Sequence, residues 1–364
     1  MIEATYTGDV WRNVSGGLRR DGTYLDNIDV IATLDAERAF DWSGTTILVS
    51  GLHNNRSTLS DRIVGDIQTV SNIDTDGATR LYEAWIERVF DAGAMKLGLM
   101  DLNSELDVNE TGALFVNSSH GIGPDFSQVG ENGPAIFPIT GLGLLTRVNF
   151  GERAELRTAI FEGTVGDVDH PRRTTVDVES DEGTLIVAEL TFRPTAESRS
   201  ILGLWRHNGR TSDLEDPELQ HRDDSLGLYA LAEGTLIHAG EHALNGFVRL
   251  GFADADVHQI ARYQGAGLVW SGPLLAGSER EEQLGLAVAV ITNGNTFRRV
   301  QAELGSNFER HETAIELTYR VQALPWLALQ PDVHYILNPG TDPALDNAWV
   351  VGLRFELSWS SERG

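Results

Sequence analysis

Trp349-Val350-Val351-Gly352-Leu353-Arg354-Phe355-Glu356-Leu357-Ser358-Trp359 is the stretch on which the fold turns. Every second residue (Trp349, Val351, Leu353, Phe355, Leu357, Trp359) is large and apolar, and the set between them is Val350, Gly352, Arg354, Glu356 and Ser358. A helix repeats its faces every 3.6 residues and a strand every two, so this segment is a strand with one oily and one wet side. It is longer than the five or six residues usual in a soluble sheet. Tilted, it has the length to cross a bilayer.

The same alternation recurs upstream. In 311–322, Thr313, Ile315, Leu317, Tyr319 and Val321 oppose Glu312, Ala314, Glu316, Thr318, Arg320 and Gln322. In 326–337, Leu327, Leu329, Val333, Tyr335 and Leu337 oppose Ala328, Gln330, Asp332 and His334. Carried along the chain, the period predicts sixteen strands near 2–13, 23–37, 45–53, 79–90, 94–101, 140–150, 154–164, 183–193, 199–207, 225–237, 244–253, 260–270, 283–293, 311–322, 326–337 and 347–359. Their connections fall into two kinds: short joins at 91–93, 151–153, 194–198 and 323–325, and long polar ones at 54–78, 102–139, 165–182, 208–224 and 294–310. Short turns at one rim and long loops at the other characterise an outer-membrane barrel.

Composition narrows the alternatives. The chain has 364 residues, 54 of them acidic against 28 basic, and no cysteine. Disulfide scaffolds, thiolate metal sites and cysteine nucleophiles are therefore excluded. A net charge of −26, with Lys96 the single lysine, repels phosphate backbones and argues against nucleic-acid binding. Apolar runs such as 286–291 are too short for a membrane helix, which needs about 18 residues, but a barrel crosses with alternating strands whose mean hydropathy looks soluble. The opening Met1-Ile2-Glu3-Ala4 has no apolar leader character, so the sequence reads either as a cytoplasmic protein or as a mature N-terminus with an added Met.

Soluble sandwiches and propellers are also built from amphipathic strands. Here, however, aromatic residues gather at strand ends (Tyr24, Phe40, Trp42, Tyr82, Phe90, Phe150, Phe192, Trp326, Tyr335, Trp349, Trp359), as in the two interfacial girdles of a membrane barrel. The expectation is one all-β domain over 1–364: a sixteen-stranded antiparallel transmembrane barrel whose long 102–139 loop folds into the lumen.

Several segments carry a resemblance. Leu102-Asn103-Ser104-Glu105-Leu106-Asp107, Leu114-Phe115-Val116-Asn117-Ser118-Ser119-His120-Gly121-Ile122-Gly123-Pro124-Asp125-Phe126-Ser127 and Gly133-Pro134-Ala135-Ile136-Phe137-Pro138 are similar to the carbohydrate-selective porins of the OprB type. So are Val14-Ser15-Gly16-Gly17, Val70-Ser71-Asn72-Ile73, Leu81-Tyr82-Glu83-Ala84-Trp85 and Leu329-Gln330-Pro331-Asp332-Val333-His334-Tyr335-Ile336-Leu337-Asn338-Pro339-Gly340. The resemblance implies a porin in the outer membrane of a Gram-negative bacterium that passes monosaccharides and similar small sugars. It implies no enzyme activity and no cofactor. Ser360-Ser361-Glu362-Arg363-Gly364 after Trp359 departs from barrels that end on the aromatic residue of the last strand.

An open sixteen-stranded tube would pass most small solutes, so a loop must narrow it. The 102–139 stretch is long enough to be a folded functional loop, with Phe115, Ile122, Phe126, Ile136 and Phe137 available to pin it to the wall. Its polar residues Asn103, Glu105, Asp107, Asn117, His120 and Asp125 are candidates for the constriction. Sugars present hydroxyls around a ring with apolar C–H faces, and a selective lumen offers donors, acceptors and an aromatic plane, all wet enough for release. Strand parity turns Asp29, Glu83, Trp85, Glu87, Lys96, Arg147, Arg157, Glu189, Arg249, Arg262, Glu316, Arg320, Gln330, Asp332, His334, Arg354 and Glu356 inward. The pore and sugar-binding candidates among these are Glu83, Trp85, Glu87, Arg147, Arg157, Arg320, Asp332 and Arg354. Glu83-x-Trp85-x-Glu87 sets two carboxylates beside an indole, either as a sugar platform or with Trp85 packed under the loop. Arg320 and Arg354 are hydroxyl donors or ion-pair partners of Glu316 and Glu356.

Two patterns are set aside. Asp101-x-Asn103-x-Glu105-x-Asp107-x-Asn109 lacks the glycine and closing glutamate of a calcium loop and reads as a solvated loop entrance, so no metal is expected. Ser118, Ser119, His120 and Asp125 have triad residue types without a nucleophile elbow. Acidic residues crowd the long loops (Asp61, Asp66, Asp74, Asp76, Asp167, Asp169, Asp177, Glu179, Asp181, Glu182, Asp213, Glu215, Asp216, Glu218, Asp223, Asp224), where divalent cations bridging to lipopolysaccharide would tolerate them. Sugars and outer-membrane lipid with lipopolysaccharide are the expected partners, and both monomer and trimer fit the sequence. A general diffusion pore on the same barrel is the alternative function; an outer-membrane enzyme or soluble glycosidase using Glu83 and Glu87 is a further one.

Overall fold

The computed structural model describes residues 1–167, 173–175, 183–209, 211–215, 221–222, 224–274 and 280–361. Of the loop acids, Asp169, Asp177, Glu179, Asp181, Glu182, Asp216, Glu218 and Asp223 lie outside these residues. Sixteen strands form one closed antiparallel barrel: β1 (Ile2–Ser15), β2 (Gly22–Asp35), β3 (Thr45–Asn54), β4 (Thr79–Phe90), β5 (Gly93–Met100), β6 (Gly141–Phe150), β7 (Ala154–Glu162), β8 (Thr184–Thr195), β9 (Ser198–His207), β10 (Ser225–Ala239), β11 (His242–Ala253), β12 (Ile260–Ser271), β13 (Glu282–Asn293), β14 (His311–Leu324), β15 (Leu327–Leu337) and β16 (Ala348–Ser360). Each strand pairs with its barrel neighbours in chain order, and β1 pairs with β16 to close the seam. Closure satisfies every backbone ladder internally, the condition for placing a sheet in lipid. A two-residue ladder, Thr211–Ser212 with His221–Arg222, lies in the connection after β9.

The decisive strand behaves as its period requires. Trp349 and Leu353 are 46% and 42% exposed on the outside, whereas Val350 and Arg354 are 0% and 6% exposed within. The outer face is oily along the whole circumference, from Val10 and Ile28 through Leu97, Leu204, Val248 and Leu286 to Leu317. Exposed aromatic residues sit near its edges: Tyr24 and Trp349 toward the long-loop rim, and Phe90, Phe150, Phe192, Trp326 and Trp359 toward the short-turn rim. Two short-rim connections exceed a tight turn, 36–44 with its helix Ala36–Phe40, and 272–281.

Two parity expectations fail at bulges. The β12 register shifts between Ile260 and Arg262, so Tyr263 turns inward and Arg262 points out over the Phe252 ring. The β3–β4 register shifts opposite Leu81, and Tyr82 leaves the girdle to hydrogen-bond Asp101 Oδ2 at 2.5 Å. An extra residue on one strand exchanges the two faces, which a period-2 reading carries past unnoticed.

The inside is not uniformly wet. Leu145, Phe161, Leu185, Val187, Trp205, Tyr229 and Phe247 make part of the inner wall apolar, and Leu102, Leu106, Phe115, Ile122 and Phe126 of the 102–139 segment pack on it as a dry core. Phe126 stacks between Trp205 and Tyr229, with ring centroids 5.6 and 5.8 Å apart. The 54–78 connection, read from sequence as a polar loop, also folds inward. Its Leu59, Ile63, Val64 and Val70 join Trp11, Leu25, Tyr263, Ile291, Ala314 and Ile336 in a second core.

Candidate functional site

The lumen is shaped by how the 102–139 segment is fastened to the wall. Burying irregular backbone requires a partner for each N–H, and the wall supplies carboxylates. Glu189 on β8 accepts the Asp107 N–H at 2.7 Å. Glu233 on β10 accepts those of Glu110 and Thr111 at 3.1 and 2.6 Å. Glu316 on β14 accepts those of Val116 and Asn117 at 2.6 and 3.0 Å. Buried arginines face these acids: Arg199 on β9 donates to Glu233 at 2.7 Å and to the Val108 carbonyl at 2.6 Å, and Arg249 on β11 donates to Asp107 at 2.6 to 3.1 Å and to Asp125 at 2.6 Å. Glycine makes room for the clamp, since a Cβ at Gly251 would come within 2.1 Å of Asp125 Oδ2.

Most loop residues singled out from sequence are fasteners. Asn103 Nδ2 donates to the Leu106 and Asp107 carbonyls at 3.1 and 3.3 Å. Glu105 lies against Lys96 and Arg157. Asn117 Oδ1 caps the Ser119 N–H at 3.0 Å. His120 is buried between Phe115 and Phe247, without a hydrogen bond to Ser118 or Ser119. The 101–109 alternation is thus not a solvated entrance: Leu102, Leu106 and Asp107 are fully buried, and its oxygens go to separate partners. Buried anions are tolerable only when paired, and these are.

The wall candidates divide. Glu83 Oε1 accepts the Asp101 N–H at 3.1 Å, and Glu87 lies 4.0 Å from Arg147. Trp85 packs against the apolar core with the Lys96 ammonium over its ring, 4.0 Å from the centroid. That ring face is occupied by Lys96. Arg157 is held by Glu155 at 2.8 Å and by the Glu105 carbonyl. Asp332 is buried 2.9 Å from His334. Arg354 pairs with Asp9, a residue that the weakly patterned first strand did not single out, and also donates to Asn72 at 2.8 Å. Arg320 pairs with Glu356 at 2.7 Å, both about 30% exposed (30% and 29%).

Among the described residues, two of the open cavities inside matter for passage. One, of 670 Å³, lies toward the long-loop rim among Asn27, Asp29, Gln68, Asn72, Asn103, Asn132 and Phe137. The other, of 400 Å³, lies toward the short-turn rim among Glu110, Thr111, Asn245, Gln283, Arg320 and Gln330. The two share Arg354 and Glu356.

A closed sixteen-stranded barrel, oily outside and holding charged cavities on either side of an Arg–Glu junction, defines a pore-forming protein of the outer membrane: a porin. Residues 19–359 match the model of the carbohydrate-selective porin, OprB family. The chain belongs to that family and is a sugar-selective outer-membrane channel. It is 23% identical to Porin B of Pseudomonas aeruginosa, over 96% of this chain and 86% of that one. The high-pH structure of OprB from Pseudomonas putida superposes with a TM-score of 0.85 at 20% identity, covering 99% of this chain and 94% of that one. The low-pH structure of the same protein gives 0.61 at 16% identity over 98% and 92%.

Proposed function

We propose that monosaccharides cross from the long-loop cavity to the short-turn cavity past Arg354, Glu356 and Arg320, with the 102–139 segment acting as the constriction. The observation that carries this reading is that Arg354 and Glu356 line both cavities, so a solute moving between them passes these two side chains. Arg320 and Glu356 are paired with each other, which leaves the junction close to neutral, yet each retains free donor or acceptor capacity toward the lumen. A sugar hydroxyl both donates and accepts, so it can bridge such a pair where a simple ion is attracted by one member and repelled by the other. Partial exposure keeps each contact in competition with water, and binding stays weak enough for release. Glu83, Trp85 and Arg157 support the loop rather than touch the sugar in this reading, while Glu87 and Arg147 pair with each other on the wall.

The acidic long-loop rim, including Asp61, Asp76 and Asp224, is proposed to meet lipopolysaccharide through divalent cations. Liposome swelling tests the passage. Glucose is expected to enter faster than an amino acid of similar size, and Glu356→Ala with Arg320→Ala is expected to abolish the difference. Equal entry by size alone in the unaltered protein would leave a general diffusion pore.

A further inference from the structure

Beneath the 114–117 segment of the loop, the inner wall carries a cluster that the passage of sugar does not use. Glu316 on β14 lies directly opposite His334 on β15, and Asp332, two residues away, shares the inward face. Their ligand atoms all lie within 4.8 Å of one another, and the three residues are 0 to 2% exposed. Strand register, not a loop, sets this arrangement.

Glu316 is held by the loop backbone, but Asp332 and His334 have only each other. His334 Nε2 lies 2.9 Å from Asp332 Oδ1 as an ion pair, and neither the Asp332 oxygens nor the His334 nitrogens make a hydrogen bond. His120 of the loop is 1% exposed, leaves both ring nitrogens unpartnered, and feels the charges of Asp332 and His334. The nearby guanidinium of Arg354 directs its Nε and Nη2 to Asp9, Ser71 and Asn72. Trp11 stands edge-on to the His334 ring at 5.4 Å and closes the far side. Orphaned polar atoms in a dry place cost free energy, and here there are six: the four ring nitrogens of His120 and His334 and the two oxygens of Asp332.

We propose that Glu316, Asp332 and His334 bind one divalent transition-metal ion. Imidazole with carboxylate is a donor set for Zn²⁺ and its neighbours, whereas Ca²⁺ and Mg²⁺ take oxygens alone in larger number. Glu316 also receives the Val116 and Asn117 N–H groups, so an ion there ties the constriction to β14 and β15.

The test uses the folded, detergent-solubilised full chain, stripped with a chelator and titrated with Zn²⁺ alone by calorimetry, with metal content measured after desalting. One retained ion per chain is expected, and His334→Ala should weaken binding by more than about tenfold, the loss that even an outer-shell change produces. Asp332→Asn, which keeps the side-chain shape, serves as the second variant, and a heat-dependent gel shift checks that each barrel is closed. Co²⁺ as a spectroscopic probe should give a visible absorption band that His334→Ala removes. Failure of the unaltered protein to retain zinc overturns the proposal. So does equal retention by both variants, which places an adventitious ion only on the acidic loops.

Discussion

Arg354 on the last strand and Asp9 on the first stand directly opposite each other across the seam that closes the barrel, joined by two hydrogen bonds of 2.8 Å. Both side chains are nearly out of solvent, at 8% and 0% exposure. Removing one member of such a pair leaves an uncompensated charge, a loss of about 3–5 kcal/mol. Arg354→Gln and Asp9→Asn should each lower resistance to denaturant-induced unfolding by that order, while Arg354→Met with Asp9→Leu should lose much less. Unfolding curves in lipid vesicles decide, and equal losses in single and double variants would show that packing rather than charge holds the seam.

The loop clamp gives a second prediction. Arg249 faces Asp107 and Asp125 with both acids fully buried. Arg249→Met strands two carboxylates in the dry core, which favours release of the 102–139 segment into the lumen water. Single-channel conductance should rise, a trisaccharide should enter liposomes that exclude it with the unaltered protein, and proteases should cut within 102–139. An unchanged size limit would mean that the Glu189, Glu233 and Glu316 contacts hold the segment unaided.

Trp85→Ala should leave sugar block of the ionic current unchanged, because one ring face is taken by Lys96 and the rest packs on the core. The cost should fall on stability, about 3 kcal/mol by analogy with other large aromatic truncations. Loss of sugar block at full stability would restore Trp85 as a platform.

Asp66, in the 54–78 connection, supplies a pH dependence. Burial, reinforced by the charge of Glu312, raises its carboxyl from 3.8 to about 7. The folded state therefore holds a proton that the unfolded chain has released between those values. Stability from this group is complete below 3.8 and falls as pH rises toward about 7, by up to about 1.4 kcal/mol per unit. Amide exchange in 57–74 should speed up across that window, and Asp66→Asn should flatten the response.

The strand count, the oily exterior and both girdles were legible because the period of two is a local property, written residue by residue from Trp349 to Trp359 and repeated through the chain. Tyr82 and Arg262 were misplaced because a bulge is set by pairing with a neighbouring strand, which leaves no mark in the period. The inward fold of 54–78 had a local signal, the spacing of Leu59, Ile63 and Val64, outweighed by the surrounding acids.

Outside the bulges in β4 and β12, sequence alone determined which strand face meets lipid, since burial of alternate side chains follows from backbone geometry. Only tertiary structure decided which inward charges are free. Glu189 and Glu316 look like pore-lining acids in one dimension and serve as acceptors for loop backbone in three. The reason is that a carboxylate's role depends on which donor the fold brings within 3 Å of it, and those donors lie up to 200 residues away in the chain.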